Sequence, residues 1–287
     1  MSNLLLLTLS LTAGWALRAR VDPRPFTVWV LYVALPAVTY TSLRHAPSVA
    51  WPAVASAWLA FFAAWGVFTV VGRVFGWSAA TVGCLTLACG LSNTSFVGFP
   101  LLEALLGPES IAHAVPIDQL GSFLLVATVA PIVAARAGGQ AWQPRDVLTS
   151  LRFPALPALV LALLLPDAPT PLVSALERIG ATLSPIALFA IGAQLRTPPA
   201  AERGPLVAGL TWKLLVAPMI VLGWVSVGGP LGLAGRVTVL EAAMAPMVTG
   251  ALLAQSAGLR PELAAAFVGI GVPVSFATVW GWALLTR

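Results

Sequence analysis

The residues with the clearest capacity for chemistry form a short polar stretch inside an apolar run. The stretch "SNTSFVGFP" carries Asn93, Thr94 and Ser95 in succession, followed by Gly98 and Pro100. Pro100 removes a backbone donor, and Gly98 lets another backbone approach closely. This pattern predicts an unwound segment next to a helix N-terminus, where free N–H groups can bind an anion. The alternative is a kinked structural helix whose Ser and Thr side chains bond to their own backbone carbonyls.

Other polar side chains lie within apolar runs, where ionisable groups are costly and usually functional. Asp118 and Gln119 follow Pro116 about ten residues into one run, and Glu241 precedes Pro246 in another. A carboxylate at such depth could exchange a proton or a sodium ion and couple that ion to a substrate. The alternative for Asp118 is a structural acid that caps a helix break after Pro116. Lys213 lies near the predicted cytoplasmic end of its run and is expected to snorkel to the membrane surface.

The elements that position these residues must be membrane-spanning helices. Of the 287 residues, 59% are hydrophobic and only 9% are charged, and the mean hydropathy is +0.94. Soluble domains have roughly 25% charged residues. The formal net charge of +5 does not indicate a nucleic-acid partner, because the basic residues fall mostly in short loops between apolar runs. The chain is therefore predicted to be an all-α polytopic membrane protein in contact with the lipid bilayer.

Ten apolar runs approach the ~20 residues that a helix needs to cross a bilayer. They cover about 3–20, 25–43, 50–72, 78–106, 109–136, 151–166, 170–195, 206–228, 235–256 and 261–285. The loops after odd-numbered runs hold most of the arginines. The positive-inside rule therefore predicts that both termini lie outside.

The ten runs divide into two sets of five. The segment 137–150, rich in Gly, Gln and charge, is a predicted cytoplasmic linker between repeats at 1–136 and 151–287. Two halves with an odd number of helices must insert with opposite orientation, which predicts an inverted repeat. A shift of 153 positions lays "LGPES" on "LRPEL" and places Asn93 opposite Pro246.

The ninth run has its own interruption at "MAPMVTG", which contains Pro246, Met247 and Thr249. Paired interruptions in corresponding runs are the best sequence pointer to a transport site. The predicted substrate-binding residues are Asn93, Thr94, Ser95, Gly98, Pro100, Pro246, Met247 and Thr249. The candidates for ion coupling are Asp118, Gln119 and Glu241.

Metal and enzyme chemistry find little support in the sequence. Cys84 and Cys89 are five positions apart on one segment and point to different helix faces, and His45 and His113 are far apart. We therefore expect no disulfide, metal site or cofactor. The chain has no HExxH, Walker A or GxGxxG motif and no GxSxG with plausible partners, so an enzyme is not expected.

The stretch "LSNTSFVGFPLL" resembles the Asn-Thr-x-x-x-Gly-x-Pro-Leu signature of the auxin efflux carrier family, which includes bacterial transporters of small organic acids. The resemblance covers nearly the whole chain. It continues in "YVALPAVTYTSL", "LSPIALFAIGAQL" and "AAMAPMVTGALLAQSAGL", which are similar to the second, seventh and ninth helices of the family.

The resemblance implies crossed broken helices in the fourth and ninth runs, with Asn93, Thr94, Gly98 and Pro100 on one side of the crossing and Pro246 on the other. It also implies a scaffold of runs 1, 2, 6 and 7, a transport domain of runs 3–5 and 8–10, elevator-type alternating access and often a homodimer. Ala245 departs from the Pro-Pro pair of many bacterial members. The long central loop of the plant members is missing, which argues against auxin as the substrate.

The combined hypothesis is a secondary transporter in a bacterial cytoplasmic membrane. It moves a small organic anion such as a carboxylate, with possible coupling to protons or sodium. The rival hypotheses are a sodium-coupled symporter of the bile-acid type and a membrane receptor that binds a ligand without moving it. An intramembrane enzyme is the third.

Overall fold

A computed structural model describes residues 2–44, 49–139, 155–194, 203–227 and 229–287. These residues form helices and connecting turns, without a strand. Most of the predicted linker 137–150 and the start of the sixth run lie outside the described residues.

Thirteen helices follow one another along the described residues. They are α1 (Ser2–Leu17), α2 (Arg24–Trp29, Val30–Ala34 and Leu35–Leu43), α3 (Trp51–Phe75), α4 (Ala79–Cys89), α5 (Thr94–Leu106), α6 (Ser110–Ala137), α7 (Ala155–Leu164), α8 (Thr170–Gly180), α9 (Leu183–Gln194), α10 (Arg203–Ser226), α11 (Leu233–Ala243), α12 (Val248–Ser256) and α13 (Pro261–Leu285).

Five helical stretches of the described residues are long and apolar enough to cross a membrane. They are Trp51–Phe75, Ser110–Ala137, Thr170–Ala190, Arg203–Ser226 and Pro261–Leu285. Helices α4 and α5 are shorter and apolar. The prediction of an all-helical, multi-pass membrane protein is thus confirmed at the level of fold class.

Two of the apolar runs are interrupted at the positions that were predicted from their polar residues and prolines. The fourth run is divided into α4 and α5, and the ninth run into α11 and α12. The seventh run is also divided, between α8 and α9, which was not predicted. At that turn the Thr182 hydroxyl accepts a hydrogen bond from Trp29 Nε1 at 2.8 Å, so α2 supports the extra break.

Among the described residues, four helices contain a wider π-helical turn. The turns are Val30–Ala34, Thr94–Gly98, Ile117–Phe123 and Trp212–Val216. Three of them end two residues before a proline, at Pro36, Pro100 and Pro218. A proline ring clashes with the carbonyl four residues earlier, and widening the preceding turn relieves that clash. Such turns occur frequently at functional sites.

Indole side chains bind backbone carbonyls that the widened turns leave available. Pro218 cannot donate to the carbonyl of Leu214, and Trp282 Nε1 from α13 donates to this oxygen at 2.9 Å. Trp58 Nε1 from α3 donates to the Leu120 carbonyl in the π turn of α6 at 3.0 Å. Backbone groups at membrane depth need such partners, because lipid offers none. These tryptophans therefore join α3 to α6 and α13 to α10.

Candidate functional site

The two breaks lie against each other at the centre of the molecule. Ser92 and Pro246 form an isolated antiparallel bridge. The Asn93 N–H donates to the Ala245 carbonyl at 3.0 Å, and the Met247 N–H donates to the Ala88 carbonyl at 2.9 Å. The two interrupted runs thus satisfy backbone groups of each other at the breaks, as non-helical backbone at membrane depth requires.

Small residues and a proline allow this close approach. A side chain at Gly250 would overlap the Leu87 carbonyl oxygen, so α12 passes directly over α4. A Cβ at Gly271 would lie 2.5 Å from Pro246 Cδ, which shows how tightly α13 packs on the second break. Glycines at helix contacts let backbones meet in this way.

A cavity of about 190 Å³ opens beside the two breaks. Its walls combine a polar end with a larger apolar part. The lining residues are Leu35, Asn93, Thr94, Ser95, Phe96, Asp118, Phe123, Val126, Ala127, Met247, Val248 and Thr249. Helices α5 and α12 both begin at this cavity, so the unpaired N–H groups of their first turns lie close to it. The arrangement suits a small molecule with an apolar body and a polar or anionic group.

Asn93 precedes α5 and is only 2% exposed. Its backbone carbonyl accepts from the Gly98 N–H at 3.0 Å, across the π turn, while its side-chain Nδ2 has no hydrogen-bond partner. An orphaned buried donor costs about 1–3 kcal/mol unless a ligand or water accepts from it. This donor without a hydrogen-bond partner therefore belongs to a side chain that lines the cavity.

Asp118 is the acid of this cavity. It lies on the π turn of α6, is 1% exposed and accepts hydrogen bonds from three neighbours. Thr94 Oγ1 and Ser95 Oγ donate to its Oδ1, and Gln119 Nε2 donates to its Oδ2 at 2.5 Å. The carboxylate is thus tied to the first turn of α5.

The structure separates the predicted site residues into two groups. Six of them line the cavity: Asn93, Thr94, Ser95, Asp118, Met247 and Thr249. Pro246 belongs to the second break and Pro100 lies in α5 after its π turn, and neither lines the cavity; Gln119 donates to the cavity residue Asp118. Gly98 and Glu241 lie against each other instead, since a Cβ at Gly98 would be 2.7 Å from Glu241 Oε2.

The expectation that Lys213 snorkels to the membrane surface was wrong. Lys213 is 1% exposed, on the π turn of α10, and it donates to Ser92 Oγ and to the Ala242 carbonyl. The Ser92 hydroxyl and the Ala242 carbonyl both lie beside the breaks and bind the buried ammonium group. The apolar sequence around Lys213 gives no sign of these partners. Sequence reasoning also passed over Ser92 as a contact, although it adjoins the polar triplet.

Comparison with known proteins finds similarity to membrane transporters. A family model described as "Membrane transport protein" matches residues 22–283. The chain belongs to this transporter family. The resemblance to auxin efflux carriers is thereby confirmed. A relative from Methanothermobacter thermautotrophicus, described as an uncharacterized transporter, is 26% identical over 207 residues, which are 70% of this chain and 67% of the relative. Membership of the family supports a general role for this protein in membrane transport, and family and relative point to a transporter rather than an enzyme.

Proposed function

We propose that this protein is a secondary active transporter of a small organic anion, such as a carboxylate, which binds in the cavity beside the two breaks. The observation that carries the proposal is Asn93 Nδ2, a buried donor without a partner at the edge of the cavity. Helices α5 and α12 both begin there, and their free N–H groups and positive dipole ends favour a negative charge.

The apolar wall limits the size and character of the substrate. Phe96, Phe123 and Val126 lie on this wall, whereas the polar side chains gather at the breaks. A small anion with a hydrocarbon part would place its charged group near Asn93 and its apolar part against these residues. The volume of about 190 Å³ suits a compact acid.

Asp118 gives the site a means of coupling. Its carboxylate lies in the same cavity, so an anion that enters beside it is repelled unless a positive charge enters too. A proton or a sodium ion on Asp118 would remove that repulsion. Binding of the anion and of the ion would then favour each other, which is the thermodynamic basis of symport.

The helix boundaries support an inverted repeat. Moving α4 and α5 forward by 153 positions places them on 232–242 and 247–259, close to α11 and α12 at Leu233–Ala243 and Val248–Ser256. The same shift moves α3 to 204–228, close to α10. We therefore keep repeats 1–136 and 151–287, ten spanning segments and elevator-type movement of the domain that holds the breaks as parts of the proposal.

The proposal extends to the setting of the protein. The distribution of arginines supports an orientation with both termini outside, and the family resemblance supports a bacterial cytoplasmic membrane and a homodimer. Labelling of single cysteines introduced at the termini, with a thiol reagent that cannot cross the membrane, tests the orientation. Labelling of intact cells is expected, and labelling only after lysis would contradict it.

Reconstituted vesicles test the function. A thermal-shift screen of small carboxylates first identifies a ligand, and its methyl ester serves as the uncharged control. We expect the acid, and not the ester, to stabilise the protein and to be taken up under a proton or sodium gradient. The Asn93→Ala variant should keep its expression and melting profile and lose more than tenfold in uptake. Ligand binding without flux under either gradient would contradict a transporter and favour a receptor.

A further inference from the structure

Lys213 lies away from the proposed substrate cavity and holds a second polar region together. Its ammonium donates to Ser92 Oγ, beside the first break, and at 2.8 Å to the Ala242 carbonyl, in the last turn of α11. Carbonyls in the last turn of a helix carry partial negative charge and have no intrahelical partner. The ammonium therefore bridges the two broken segments from a third helix, α10.

The same region contains an acid with no hydrogen-bond partner. Glu241 is 1% exposed, and neither of its carboxylate oxygens has a hydrogen-bond partner. Lys213 and Glu241 are close enough for their charges to interact. A buried carboxylate is costly unless a positive charge compensates it. The ammonium of Lys213 contributes part of that compensation.

A void of about 10 Å³ lies beside Glu241, which is room for about one water molecule. Glu241, Ser92 and Ala242 all line it, together with further hydroxyl side chains. Those further residues are Ser56, Thr94, Ser122 and Thr238. Carboxylate, carbonyl and hydroxyl oxygens together are the ligands that hard cations prefer.

We propose that Lys213 is a tethered cation that occupies a latent binding site for a small monovalent metal ion at this junction. Two of the oxygens that would coordinate such an ion accept hydrogen bonds from the ammonium. In the wild-type junction the ammonium therefore takes the place of a dissolved ion. Removing the ammonium leaves the oxygens of Ser92, Ala242 and Glu241 around an enlarged space, which then takes Na⁺ or Li⁺. This role depends on the junction alone and not on the identity of the substrate.

The test measures melting temperatures of the purified full-length protein in NaCl, LiCl and KCl, with choline chloride at equal concentration as the reference. In wild-type protein we expect no sodium-specific rise in melting temperature that depends on Glu241, whereas a rise that Glu241→Gln leaves unchanged would come from the coupling site at Asp118. The Lys213→Ala variant should melt lower than wild type in choline chloride and recover several degrees in NaCl or LiCl. Adding Glu241→Gln to that variant should abolish the recovery, because the carboxylate is the charged ligand.

Two further variants keep the test decisive. Lys213→Gln retains an N–H donor for Ser92 and offers the same measurement if Lys213→Ala does not fold. Lys213→Met fills the space without charge and should be destabilised equally in every salt. The proposal is overturned if the Ala or Gln variant that folds shows no sodium-specific recovery. It is also overturned if wild-type protein shows a sodium-specific rise that Glu241→Gln removes.

Discussion

Thr94 Oγ1 donates a hydrogen bond to Asp118 Oδ1, and this contact joins the first turn of α5 to the π turn of α6. Thr94 also lines both the substrate cavity and the small void beside Glu241. The hydrogen bond thus places the start of α5, where we propose that the anion binds, in direct contact with the carboxylate that we propose as the coupling group.

Asp118→Asn tests that coupling. The amide cannot exchange a proton or hold a sodium ion as a carboxylate does, so we expect uptake to lose its dependence on the driving gradient while counterflow exchange of substrate continues. Uptake is measured in vesicles with an imposed pH gradient and, separately, an imposed sodium gradient. Glu241 lies close enough to interact electrostatically with Asp118, so Glu241→Gln is measured in parallel. An unchanged gradient dependence in Asp118→Asn would reduce Asp118 to a structural acid.

Thr94→Val tests the hydrogen bond itself. Valine keeps the shape of the side chain and removes the donor, which leaves the buried carboxylate with two of its three partners. We expect the free energy of unfolding to fall by about 1–3 kcal/mol and uptake to fall with it. Thr128→Val is the matched control, because Thr128 in α6 donates only to the Leu124 carbonyl of its own helix, at 2.6 Å. An equal loss in both variants would show that the contact with Asp118 carries no special weight.

The interrupted helices could be predicted because the residues that cause each break are neighbours in the sequence. The contacts of Lys213 with Ser92 and Ala242 could not. Asn93 and Pro246 stand out as polar or helix-breaking residues within apolar runs. Lys213 does not reveal its burial, because its acceptors lie 121 and 29 positions away along the chain. The prolines mark where the helices widen. Nothing near Pro218 indicates that the Trp282 indole binds the Leu214 carbonyl, because the two residues are 68 positions apart.

Gly250→Ala tests the close contact between α12 and α4. The added methyl group would overlap the Leu87 carbonyl oxygen, which belongs to a backbone and cannot move aside cheaply. We expect a loss of about 1–3 kcal/mol in unfolding free energy, together with loss of uptake. Gly66→Ala in α3 is the control, since a Cβ there meets nothing within 4 Å. That variant should gain up to about 1 kcal/mol from helix propensity, and a loss at Gly66 as large as that at Gly250 would contradict the contact argument.

Trp282→Phe tests whether the indole compensates for Pro218. Phenylalanine keeps most of the packing and removes the donor to the Leu214 carbonyl, so we expect a loss of about 1–3 kcal/mol in unfolding free energy. Pro218→Ala supplies a backbone N–H four residues after Leu214, which can take over the same oxygen. The Trp282→Phe substitution should therefore cost less in the Pro218→Ala background than in wild type, and a double-mutant cycle of unfolding free energies measures the difference. Strictly additive effects would mean that the indole and the missing N–H are independent.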